Sequence, residues 1–141
     1  HDGKGLQVLL SRVTSDMKRA ETPRAQALAA KLKPYLDQLG GFIQQAAADL
    51  RSDKQPVLLT NASCFLNIFS SCVVSWIWLR QANVAEQALA NGAGEQDVDF
   101  YEGKLSAAEY FLNWELPLVS RDIEVLSSRE ATCNNVKASY F

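Results

Sequence analysis

The sequence predicts an all-α fold, an up-down-up-down four-helix bundle with long second, third and fourth helices. Three observations carry this expectation. Apolar residues recur in steps of three and four along most of the chain. No segment reads as a strand. The breaks between periodic stretches are short and rich in Gly, Asn, Ser and Pro. Helices of about 30 residues span about 45 Å, and short links between them make sequential helices antiparallel.

The first helix is expected from about residue 5 to 19, with Leu6, Leu9, Val13 and Met17 on one face. Thr22-Pro23 opens the second. Thr22 is suited to capping the free amides, and Pro23 fits the first helical position, where its missing N–H costs nothing. From there Ala25, Leu28, Leu32, Leu36, Leu39, Ile43, Ala46 and Leu50 form a continuous stripe, predicting a helix over 23–51. Pro34 lies off the stripe, and the phase holds across both Pro34 and Gly40-Gly41, so a bend is expected rather than a break.

Ser52-Asp53-Lys54-Gln55-Pro56 reads as a polar turn, and the third helix as 56–90. Asn91-Gly92-Ala93-Gly94 ends it with residues that tolerate the left-handed conformation. The fourth helix is expected over 98–126, on the stripe Tyr101, Leu105, Ala108, Leu112, Leu116, Val119, Ile123 and Leu126, with a bend at Pro117. Residues 1–126 thus form one bundle domain, and 127–141 a polar, aperiodic tail, frayed or draped over the surface.

Length and composition agree with a single domain. The chain has 141 residues, 48% hydrophobic and 21% charged, enough to bury a core. A net charge of −2 and scattered Lys and Arg give no basic patch for nucleic acid and no attraction to an acidic membrane surface. Three cysteines, Cys64, Cys72 and Cys133, make no disulfide framework. On one helix Cys64 and Cys72 stand about 12 Å apart, too far to bond. They read as reduced core thiols of a cytoplasmic protein. The chain opens at His1 without a signal-peptide pattern or an initiator Met, which suggests a fragment boundary.

The third helix is unusual. No charged residue occurs between Lys54 and Arg80. A membrane span is disfavoured by Asn61, Asn67 and the many Ser and Thr in this run, and by the missing belt at its ends. The alternative is a helix covered on more than one side. Leu58, Ala62, Phe65, Phe69, Val73 and Trp76 form the expected bundle face. The opposite side carries Thr60, Asn67, Ser71, Val74 and Trp78, uncharged throughout, where a solvated side would carry Lys and Glu. Asn67, Ser71, Val74 and Trp78 are therefore the candidate interface residues. Their expected partner is the rest of a parent protein or a second copy; cover by the tail or a neighbouring helix is the alternative.

No catalytic, cofactor-binding or metal-binding residues are expected. The only histidine is His1, which removes His-based triads and His metal ligands. There is no Cys-x-x-Cys and no glycine-rich phosphate loop. Glu102 and Glu109 share a face about 10 Å apart along the axis, which a solvated face explains better than acid–base work. Phe42, Phe65, Phe69 and Phe111 read as core.

The run Phe100-Tyr101-Glu102-Gly103-Lys104-Leu105-Ser106-Ala107-Ala108-Glu109-Tyr110-Phe111, followed by Glu115-Leu116-Pro117, resembles the closing segment of large bacterial acyl-CoA dehydrogenases, which carry an extra helical domain after the flavoprotein core. Phe65-Leu66-Asn67-Ile68-Phe69 and Trp76-Ile77-Trp78-Leu79 resemble that domain's central helix, and Gly5-Leu6 with Leu9-Leu10 the stretch just after the core. The resemblance implies a parent enzyme that binds FAD and oxidises an acyl-CoA to a 2-enoyl-CoA, with its base and flavin site upstream of this chain. Tyr101-Glu102-Gly103 looks like a Tyr-Glu-Gly-Thr motif of the family's core, but Lys104 replaces the Thr and the run opens an amphipathic helix. The implied role is packing and assembly: partners are the parent's core domains and a second subunit of a cytoplasmic homo-oligomer. The rival readings are a free-standing dimerisation module without activity and, more weakly, a metal or ligand carrier.

Overall fold

In the computed structural model the described residues are 4–51 and 55–141. His1 and the Ser52-Asp53-Lys54 part of the expected turn lie outside them. Helices α1 (Lys4–Lys18), α2 (Pro23–Asp49), α3 (Gln55–Thr60), α4 (Ala62–Ala90), α5 (Glu95–Tyr110), α6 (Ser120–Ser128) and α7 (Thr132–Asn135) follow in order, and no strand occurs among the described residues. The fold is all-α. Its elements depart from four uninterrupted rods at two places, each with an identifiable cause.

The expected 56–90 helix is broken at Asn61, which leaves helical geometry at φ −98°, ψ 13°. Asn61 is buried, and its side-chain amide donates to the Glu130 carbonyl at 2.7 Å. A tertiary hydrogen bond therefore decides the break. In the fourth rod a π-helical turn, Phe111–Glu115, and a 3-10 turn, Leu116–Val119, separate α5 from α6. Pro117 lacks an N–H and would clash with the carbonyl four residues back. The wide turn followed by a tight one absorbs that defect. Leu105, Ala108, Leu112, Leu116 and Val119 all stay buried, so the stripe keeps its phase. Pro34 and Gly40-Gly41 are absorbed within a single α2.

α4 packs against α1, α2, α5 and α6. Two clusters lie along it. Toward the C-terminal end of α4, Val13, Leu28, Leu32, Trp76, Leu79, Leu105 and Leu112 are buried together with Ala25, Ala29, Ala82, Ala85 and Ala108, whose small size lets the helices approach closely. Toward the other end Leu39, Ile68, Cys72 and Val119 are buried, rimmed by Phe42, Phe65, Phe69 and Ile123. Of the expected bundle face of α4, Trp76 is buried and Phe65, Phe69 and Val73 pack at the rim of the core, whereas Ala62 is exposed; the most deeply buried positions are Ile68, Cys72, Ser75, Leu79 and Ala82. Length and composition alone would let α4 cross a membrane; it packs against four other helices and leaves an uncharged side open.

The helix ends carry their own chemistry. Thr22 makes no side-chain cap. Glu86 of α4 replaces it, accepting from the Arg24 and Ala25 amides at 3.3 and 3.1 Å. α4 closes in a Schellman motif: Gly92 has φ 80°, its N–H meets the Leu89 carbonyl, and the Ala93 N–H meets Ala88. α6 closes the same way with Arg129 at φ 53°, a left-handed position that an L side chain occupies at a cost. Asp49 holds that arginine, 3.1 Å from its guanidinium. Beyond it α7 rests against α3, while the side chains from Thr132 onward are exposed. Cys133 lies there, exposed and not in the core as expected; Cys64 is half-buried and Cys72 buried.

Candidate docking surface

At 100° per residue, Leu66, Ser70 and Ile77 fall on one stripe of α4 and Asn67, Ser71, Val74 and Trp78 on the next, one residue round. The structure treats the two differently. Leu66 and Ile77 are 61% and 43% exposed, with Ser70 open between them. The four residues singled out in the sequence are divided. Asn67 is exposed and Val74 37% exposed, whereas Ser71 and Trp78 are half-buried. The fourth rod covers that flank: Asn67 donates to Asp122 at 3.2 Å, and the Lys104 ammonium lies 5.9 Å from the Trp78 ring. The open surface is therefore Leu66, Asn67, Ser70, Val74 and Ile77, centred about one residue back from the sequence estimate. Apolar residues occur all round this helix, so its pattern could not fix which side a neighbour would take.

This surface extends about 16 Å from Leu66 to Ile77 and carries no charge before Arg80. A single exposed Leu is ordinary; a charge-free apolar line on the most contacted helix is a place for another surface. A second apolar patch lies on the π turn. Trp114 is 68% exposed and stacks on Tyr110 at 6.4 Å, with Leu118 exposed beside them. π turns concentrate at functional positions. The sequence signal that could have found this patch was the spacing Tyr110, Trp114, Leu118, outside the stripe.

The remaining candidates serve structure. Glu102 and Glu109 both accept from Arg24, at 2.8 and 2.9 Å, tying α2 to α5. Those two hydrogen bonds raise the arginine's pKa further. Asp122, missed from the sequence, is buried beside Asn67 and accepts from the Cys64 thiol. Burial, and then that hydrogen bond, push the Cys64 pKa up, the opposite of a reactive thiolate. Among the described residues no three His, Cys, Asp or Glu side chains converge as a metal site would need. Nor does the turn after α4 offer a flavin pyrophosphate free Gly92 and Ala93 amides. Gly92-Ala93-Gly94 is consumed in closing α4, with the Gly92 and Ala93 amides bonded to the helix and turned from any phosphate.

Residues 9–137 match the acetyl-CoA dehydrogenase C-terminal-like family, and the chain belongs to it. Among curated proteins the broad-specificity linear acyl-CoA dehydrogenase FadE5 of Mycobacterium tuberculosis is similar, 33% identical over 90 residues. That match covers 64% of this chain and 14% of the relative, so the chain spans a small part of the enzyme it resembles.

Proposed function

We propose that this chain is the C-terminal packing and assembly domain of an FAD-dependent acyl-CoA dehydrogenase, cytoplasmic and homo-oligomeric, whose catalytic base and flavin site lie in other domains. Its rods are arranged up-down-up-down. Supporting that, Glu86 meets the start of α2 while Ile68 meets Leu39 near its end, and Trp78 meets Lys104 while Asn67 meets Asp122. The observation that carries the functional reading is the uncharged open face of α4 in a chain of this family. Leu66, Asn67, Val74 and Ile77 dock on the parent's core domains or a second subunit, with Ser71 and Trp78 as the firm floor beneath. The domain orders the assembly and influences which acyl chains enter, without touching the reacting carbons.

In the full-length enzyme, replacing Ile77 by Glu should weaken assembly or shift the acyl-chain profile while bound FAD is retained. Size by sedimentation, flavin absorbance and rates across chain lengths read this out. Unchanged assembly and an unchanged profile would remove the docking role. The isolated chain should bind no FAD by equilibrium dialysis.

A further inference from the structure

Past Arg80, outside the docking face, the end of α4 and the start of α5 enclose a groove of about 270 Å³. It is lined by Val84, Ala85, Phe100 and Tyr101, by the polar Gln81 and by two cations, Arg80 and Lys104. Phe100 and Val84 are both more than half exposed, so the groove's apolar lining is available.

The two cations differ. Arg80 is engaged, its Nε 3.4 Å from the Asp16 carboxylate and its guanidinium over the Trp76 ring. Lys104 has no carboxylate within ion-pairing distance among the described residues. Its ammonium lies between two rings, 5.4 Å from Phe100 and 5.9 Å from Trp78. Ring faces hold a cation in place but do not neutralise it. A half-buried, uncompensated charge at the edge of an apolar groove is complementary to an anion carried on an apolar body. Bare phosphate would use only the charge, and a neutral hydrocarbon only the walls.

We infer that this groove binds a small amphiphilic carboxylate, its head on Lys104 Nζ and its body along Val84, Ala85, Phe100 and Tyr101. The probe is octanoate, titrated into the chain and followed by amide and indole NMR shifts, with inorganic phosphate and 1-octanol as controls. Octanoate should saturate, with shifts centred on Val84, Phe100, Lys104 and the Trp78 indole. Each control should bind at least about tenfold more weakly. Lys104→Gln should lose about tenfold in octanoate affinity, and Lys104→Arg should keep it. Circular dichroism verifies that both variants are helical. If Lys104→Gln does not fold, the salt dependence of octanoate binding to the unaltered chain decides, since a charge-assisted site weakens as salt rises. Absence of saturable octanoate binding, equal affinity for octanol or phosphate, unchanged affinity in folded Lys104→Gln, or salt-independent binding would each overturn the assignment.

Discussion

Single residues do work here that composition does not announce. Cys72 is buried, and desolvation pushes its thiol from 9.0 up to about 12. A raised pKa means that the folded state holds the proton more tightly. The stability is complete below pH 9 and is lost as pH climbs toward 12. The loss is roughly 4 kcal/mol if the whole shift is expressed. Urea titrations at pH 8 and pH 11 should show roughly 3 kcal/mol of that decline, since pH 11 lies two units above the unfolded value, and Cys72→Ala should show much less of it. In the native chain a disulfide reagent at pH 8 should modify Cys133 quickly and Cys72 only on unfolding. Glu86 is a second such residue. Glu86→Ala should cost about 1 kcal/mol in urea denaturation, because two first-turn amides of α2 lose their acceptor. The sequence pointed to Thr22 for that duty. A cap supplied from another helix leaves no local trace, which is why Glu86 was not legible and Thr22 was misread.

At the scale of the element, periodicity located the helices well and their interruptions poorly. The α2 stripe and the positions buried along the fourth rod follow from spacing alone, because burial repeats wherever one side faces a core. The break at Asn61 does not, because its cause is the Glu130 carbonyl, far along the chain. Pro117 announced a defect but not its form, a π turn compensated by a 3-10 turn. The α6 terminus offers a test of such local chemistry. Arg129 is left-handed and paired with Asp49. Arg129→Gly exchanges that ion pair for relief of the backbone, and should stay within about 1 kcal/mol of the parent sequence. Arg129→Val cannot adopt φ 53° easily and loses the pair as well, so it should cost about 2 kcal/mol. Urea midpoints of the two variants in the wrong order would refute this account of the terminus.

For the whole molecule, the all-α class was readable from apolar steps of three and four, and the anomaly of α4 from the absence of charge between Lys54 and Arg80. The exact face left open was not, because the fourth rod settles against the Asn67 and Trp78 flank. Its hold comes from Asp122 and Lys104, two charged groups no periodicity argument would have placed there. Burial separates fold from docking: Leu32→Ala should destabilise the isolated chain by about 2–5 kcal/mol, whereas Leu66→Ala should change it by no more than about 0.5 kcal/mol. The measurement that bears most directly on the docking face is maleimide labelling of Ile77→Cys in a Cys133→Ser background, run on the isolated chain and on the full-length protein. If the rest of that protein covers this face, labelling in the full-length protein should be about tenfold slower or worse; equal rates in the two would contradict it.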